Sequence, residues 1–202
     1  NYLIEGRTYP LMPYDIVLVN HNEIHRPDID QSVPYERIIV YLSPGFITSY
    51  KTEEYDLSEC FQHAKAAHSN VLRVRSLEKS SLFQIIRNLE RACAEEGYAN
   101  ELYRQVLFLE FMIQLNRAYL AHRLDYLKTR HSNQKILAIM DYIGAHLSAD
   151  LNIDTLSETF YISKYHMMRQ FKQETGCTIS HYINSKRLLL ARELLSGDAP
   201  IT

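Results

Sequence analysis

Six residues near the C-terminal end of the chain, Lys164, Tyr165, His166, Met168, Arg169 and Lys172, bring cations, an aromatic ring and a thioether into one short stretch. Cations meet phosphates, and an arginine can make a bidentate pair with a guanine edge. Between them, Met167 and Phe171 repeat at four residues with Ile162 just ahead, so the stretch has an opposite, apolar face. That periodicity predicts a helix over residues 164–175. Ser163 is placed to cap its start, with a hydroxyl able to accept from the first-turn amides, and Gly176 follows where a left-handed ending favours glycine. A second short helix is predicted over residues 153–160, with Leu156 and Phe160 pointing inward. The gap to Ser163 is the spacing of a helix-turn-helix, whose second helix presents its polar face to a major groove.

A second set of candidates lies in the first fifth of the chain. His21, Glu23 and His25 alternate, and on a strand they would share a face, as a metal site requires. Asn22 and Glu23 read instead as turn residues, which break the alternation, so no metal and no other cofactor is expected. Over residues 36–42, Arg37, Ile39 and Tyr41 fall on one face of a strand and Ile38, Val40 and Leu42 on the other. Arg37 and Tyr41 can donate to hydroxyls or a carboxylate while Ile39 covers a carbon face, and His25 adds a polar contact, the mixture found in small-molecule sites. The competing reading is a solvated Arg37 and a Tyr41 packed in the core with its hydroxyl at the rim.

The elements that must position these residues differ along the chain. Residues 7–42 are rich in β-branched and aromatic types punctuated by proline and aspartate, and short strands are predicted at 8–11, 16–19, 24–27 and 36–42. Helices follow over 76–96 and 100–128, separated by Gly97. In the longer one, Leu102, Val106, Leu109, Ile113, Leu120 and Leu127 trace a heptad-like seam interrupted by Asn116 and Arg123, while Phe108, Phe111, Met112, Leu115 and Tyr119 form a second apolar face. A helix apolar on two sides packs against its own domain and something else. A second copy of the chain is the expected partner, with Asn116 fixing register; the alternative is a helix central to its own core. Residues 126–134 are polar and aperiodic and read as a linker.

With 202 residues the chain can bury one sizeable core or two small ones. No apolar run is long enough to cross a bilayer and no signal segment opens the chain, so a cytoplasmic protein that does not engage membranes is expected. Three cysteines, Cys60, Cys93 and Cys177, are odd in number and widely spaced, which argues against a disulfide framework or a zinc site. The net charge is −2, and residues 131–202 carry 7 Lys and Arg against 7 Asp and Glu, so any affinity for nucleic acid depends on local charge placement.

Ser163, Arg169, Phe171, Lys172, Gly176, Tyr182, Ile183, Arg187, Leu188, Ala191, Leu194 and Leu195 together resemble the AraC/XylS family of bacterial regulators. The resemblance extends back to a first helix with the apolar stripe Ile136, Ile139, Ile143 and Leu147. It implies that residues 179–196 are a long linker helix leading to a second helix-turn-helix, of which Ala199, Pro200, Ile201 and Thr202 would be the opening. A serine, Ser157, stands where the family usually has alanine, and its hydroxyl requires a partner. The segment YPLMPYDIVLVNHNEIHRPD resembles the second half of a cupin barrel, with Tyr14 in place of the usual turn glycine. Both ends are therefore expected to be incomplete.

The implied fold class is α+β: a partial cupin-like β-barrel, a helical dimerisation segment and an all-α helix-turn-helix domain. The expected division is a ligand-binding and dimerisation domain over 1–130 and a DNA-binding domain over 131–202. The resemblance implies a ligand-responsive regulator, a homodimer on double-stranded DNA, whose effector is a small molecule of sugar type. It places Tyr165, Met168 and Arg169 toward bases, and Lys164, His166 and Lys172, with Ser163, nearer phosphates. An ion pair from Arg169 to Glu158 is the competing role for that arginine. From another class, a cupin-type metal-dependent enzyme with an accessory helical domain would need three or four converging ligands, of which the sequence supplies at most His21, Glu23 and His25 locally. The third reading is a partner-binding protein whose helix-turn-helix no longer reads DNA.

Overall fold

In the computed structural model, which describes residues 1–30, 32, 34–67, 69–74, 81–121, 124–127 and 133–196, the chain divides into two units. One gathers residues 1–11, 19–34 and 129–202, the other residues 12–18 and 35–128. The units interleave near the N-terminus, where the sequence suggests a single boundary after residue 130, because strand pairing joins segments that are distant along the chain.

In the first unit, β1 (Tyr2–Ile4), β2 (Arg7–Tyr9) and β4 (His25–Pro27) form an antiparallel sheet in the order β2-β1-β4. The second unit holds β3 (Ile16–Val17), β5 (Val71–Arg73) and β6 (Asp125–Tyr126), paired antiparallel in the order β3-β5-β6. Among the described residues neither sheet closes into a barrel. The strand expected over 36–42 is absent: that segment forms no ladder, and Ile38 and Tyr41 are 54% and 90% exposed. Strand propensity reflects a fit to a half-buried pleated surface, and no described segment pairs with this one.

The second unit is built on α1 (Pro44–Thr48), α2 (Glu59–Ala66), α3 (Ser81–Ala94) and α4 (Asn100–Leu120). Leu18, Cys60, Leu72, Leu82, Phe108, Met112 and Leu115 make its core. Helix α4 stops at Leu120 instead of continuing to 128, because the chain turns back to pair β6 with β5 and buries Leu124. Residues 76–80, Arg123 and most of the expected linker fall outside the described residues. Tyr14 takes the left-handed conformation, φ 71°, that a turn glycine would adopt. The turn is held by Asp15, whose carboxylate accepts from the Met12 amide at 2.8 Å and pairs with Arg73 at 2.7 Å.

The helices of the first unit are α5 (Gln134–Ala145), α6 (Ile153–Phe160), α7 (Lys164–Thr175) and α8 (Ile179–Ser196), and the last three match the expected bounds. Side chains cap three of them: Asn133 accepts from the Lys135 amide at 3.0 Å, Asn152 from the Thr155 amide at 2.8 Å and Thr178 from the His181 amide at 3.3 Å. Ile136, Ile139, Ile143, Leu156, Met167, Phe171 and Tyr182 close one core, with Leu147 packed against it. No helix among the described residues is long and apolar enough to cross a membrane.

Candidate nucleic-acid interface

Helix α7 is held from behind. Met167 and Phe171 are fully buried, and Phe171 meets the Tyr182 ring of α8 edge-on at 5.4 Å. The turn before it is pinned by Ser157, whose hydroxyl donates to the Ile162 carbonyl at 2.7 Å. That bond is the partner the Ser157 hydroxyl requires. Tyr161 ends α6 in a left-handed conformation, φ 49°, and Gly176 ends α7 at φ 76°. The Gly176 turn sets the angle between α7 and α8, and a side chain there is strained whatever space surrounds it.

Burial of this face fixes the opposite one in solvent. Ser163, Lys164, Tyr165, His166, Met168, Arg169 and Lys172 are all exposed, Tyr165 at 74% and Met168 at 43%. Met168 and Arg169 each lie three or four residues from both Tyr165 and Lys172, so the four form one stripe. Lys164 is paired with Asp154 of α6. Among the described residues Arg169 makes no ion pair, so the competing bond to Glu158 is not formed. Ser163 occupies the N-cap position, yet its side chain bonds no amide. The expected cap bond is not formed.

Sequence reasoning missed the wall beside this stripe. Ile153 of α6 and Thr178, Ile179 and Ser180 at the start of α8 join Tyr165, Met168, Arg169 and Lys172 around a cleft of about 250 Å³. The signal was the short link from Gly176 to the next helix, which forces α8 to begin beside α7.

The residues expected to bind an effector are arranged differently. Arg37, Ile39 and Tyr41 belong to an exposed, irregular segment of the second unit, where the Arg37 guanidinium lies over the Tyr35 ring at 6.0 Å. His25 lies on β4 in the first unit, stacked on Tyr2, with Nδ1 bonded to the Glu23 carbonyl at 3.0 Å. It lines a cleft of about 240 Å³ together with Glu5, Arg26, Gly176, His181 and Tyr182. Glu5, not anticipated from sequence, is the polar centre here: its carboxylate accepts from the Ile24 amide, the Tyr182 hydroxyl and Lys186, which is 2.7 Å away. Burial, then the Glu5 carboxylate, raises the Tyr182 hydroxyl well above the usual tyrosine range. His21 pairs with Glu193, and Glu23 accepts from the Asn20 amide at 2.7 Å. No group of three His, Cys, Asp or Glu among the described residues is placed to hold a metal ion.

On α4, Leu102, Val106, Ile113 and Leu120 are exposed and Leu109 is half-buried. Asn116 departs from this seam and is buried at 7% exposure. Its Oδ1 accepts from the Cys60 amide at 2.9 Å, and its Nδ2 donates to the carbonyls of Leu57 and Met112. The register role expected for Asn116 is thereby corrected, because its amide is used inside its own unit. Cys60 is buried as well, and burial pushes its thiol up to about 12.

Two family profiles match the chain. One, described as bacterial regulatory helix-turn-helix proteins of the AraC family, covers residues 143–184. The other, described as the AraC-like ligand binding domain, covers residues 1–112. The HTH-type transcriptional activator RhaS of Escherichia coli O139:H28 is 27% identical over 141 residues, which is 69% of this chain and 46% of that protein. RhaS of Escherichia coli strain K12 / DH10B is 26% identical over the same coverage. An uncharacterized HTH-type transcriptional regulator of Staphylococcus aureus is 26% identical over 93% of this chain and 24% of its own length. The chain thus spans about half the length of the RhaS proteins it matches, 46%. No solved structure matches it.

Proposed function

This chain belongs to the AraC family of bacterial regulatory proteins, and from that premise we propose that it is a ligand-responsive transcription regulator that binds double-stranded DNA in the cytoplasm through α7. The observation that carries this reading is the stripe of Tyr165, Met168, Arg169 and Lys172, held in solvent by the burial of Met167 and Phe171 on the reverse of the same helix. Arg169 is assigned to a guanine edge; Lys164, His166, Lys172 and the Ser163 hydroxyl are assigned to phosphates. Residues 131–202 carry this function and residues 1–130 carry effector binding and dimerisation. The chain acts by binding, in keeping with its likeness to HTH-type transcriptional regulators, and not by turnover of a substrate.

The effector is assigned to the sugar class, with Arg37, Ile39 and Tyr41 of the second unit as its contacts. A hydroxyl-rich ligand would draw the donors of Arg37 and Tyr41 out of solvent and cover its carbon face with Ile39. Its effect on DNA occupancy equals its differential affinity for the two arrangements of the regulator. Self-association is assigned to the exposed seam of Leu102, Val106, Ile113 and Leu120 on α4, with Leu109 at its edge. A two-fold dimer matches the symmetry of paired half-sites.

Fluorescence anisotropy with labelled duplex DNA across a salt series tests the DNA assignment. Affinity falls linearly with the logarithm of salt concentration, and Arg169→Ala weakens specific binding by about 1–3 kcal/mol. Binding that ignores salt, or an Arg169→Ala variant equal to the parent on every duplex, rejects the assignment.

A further inference from the structure

The stripe on α7 is not uniformly polar. Tyr165 and Met168, 74% and 43% exposed, stand almost one turn apart and line the cleft with Ile153 of α6 and Ile179 of α8. Its remaining walls include the two cations Arg169 and Lys172. Among the described residues neither cation has an ion-pair partner. A protein therefore keeps an apolar recess open to water in the middle of the positive face it turns toward a polyanion.

Charge selects the occupant. The two cations beside the recess, Arg169 and Lys172, favour a phosphate-bearing partner over an apolar protein surface. On the major-groove edge of DNA, the apolar group that distinguishes one base from the rest is the C5-methyl of thymine. Met168 suits such a contact, because its thioether is polarisable and its chain adapts to small apolar groups. The Tyr165 ring offers a flat wall beside it. Arg169 follows Met168 directly and lies four residues beyond Tyr165, so the arginine and the recess face neighbouring base pairs.

We propose that α7 reads a thymine through its methyl group, seated between Tyr165 and Met168, next to the guanine contacted by Arg169. This rests on the DNA-binding reading above and adds the base step that the helix prefers. Ile153 and Ile179 form the floor, so the preference depends on all three helices α6, α7 and α8 and not on α7 alone.

The test begins with selection from a randomised duplex library at low salt, using the whole 202-residue chain. Enriched duplexes should contain thymine beside guanine. Each thymine is then replaced singly by deoxyuridine, which removes the methyl group and leaves every hydrogen-bonding group unchanged. At the thymine adjoining the guanine the loss should be about fourfold in affinity, the worth of one buried methyl. Met168→Ala should bind the thymine and deoxyuridine duplexes alike, with an unchanged thermal midpoint, since Met168 is exposed. Tyr165→Ala should narrow the same difference. Enriched duplexes that bind equally well with deoxyuridine at every position overturn the methyl reading and leave DNA binding standing. A methyl effect that persists in both variants also overturns it, because the methyl is then read elsewhere. Failure of any duplex to enrich rejects DNA binding by this chain, and the methyl reading falls with it.

Discussion

Helices α7 and α4 each bury one face against their own unit and leave the other in solvent, but what they leave there differs. On α7 the buried Met167 and Phe171 leave Arg169 and Lys172 to solvent, whereas on α4 the buried Phe108, Met112 and Leu115 stand opposite Leu102, Val106, Ile113 and Leu120. The buried faces do the same work, removing about 25 cal/mol of unfavourable hydration per Å² of apolar surface. The exposed faces do not. A cationic stripe keeps its affinity for water until a polyanion displaces it, while an apolar seam is unfavourable in water until an apolar surface covers it. The difference is what the proposal of DNA for one helix and a copy of the chain for the other rests on.

The largest effect that can break this comparison is on the buried face of α7. Phe171→Ala should destabilise the first unit by about 3–5 kcal/mol, the cost of truncating a buried aromatic side chain, and DNA binding should be lost with the fold. Urea denaturation followed by circular dichroism measures it. A loss below about 1 kcal/mol would mean that the helix is not anchored as the core implies. Arg169→Ala, on the opposite face, should leave the same denaturation midpoint unchanged.

Next in size is the exposed face of α4. Leu102→Glu combined with Ile113→Glu places two charges on the seam without touching the core, so the monomer should stay folded while self-association weakens by about tenfold or more. Sedimentation equilibrium reads the association and circular dichroism the fold. An unaltered oligomeric state would remove α4 as the dimer surface and leave its apolar seam without an assigned partner.

The two helices also show how far the sequence could be read. Residues 153–160, 164–175 and 179–196 emerge with the expected bounds because their signals are local: the apolar period, Gly176, and short links that leave little freedom. The stripe on α7 was legible for the same reason, since a helix brings residues three and four apart together without help from elsewhere. Asn116 was misread because its place in a heptad is local information and its partners, Cys60 and Leu57, are nearly sixty residues away. Residues 36–42 were misread in the same way: alternation predicts a strand, but a strand exists only where another segment supplies its ladder. The carboxylate of Glu5 gave no local signal at all, because Lys186 and Tyr182 reach it from the far end of the chain.

The smallest difference concerns how the two units begin their helices. Near the start of α2, Asp56 accepts from the Ser58 amide and hydroxyl at 2.8 and 2.6 Å, from Gln62 at 2.9 Å, and pairs with Lys51 at 2.9 Å. The Ser58 hydroxyl bond, aided by Lys51 and the Ser58 amide and opposed by burial, holds this carboxyl well below the ordinary aspartate value near 3.8. Helix α7 starts at Ser163, which carries no ionisable group. A depressed carboxyl stabilises the folded state fully above its unfolded pKa, and the contribution is lost as pH falls below that value toward the folded one. Asp56→Asn should therefore be less stable than the parent at about pH 6, and the gap should narrow as the pH drops to about 3. Denaturation midpoints of the two proteins across that range give the result, with Ser163→Ala as the pH-insensitive counterpart on α7. A gap between Asp56→Asn and the parent that stays constant with pH would show that the capping bonds at α2 owe nothing to the charge of Asp56.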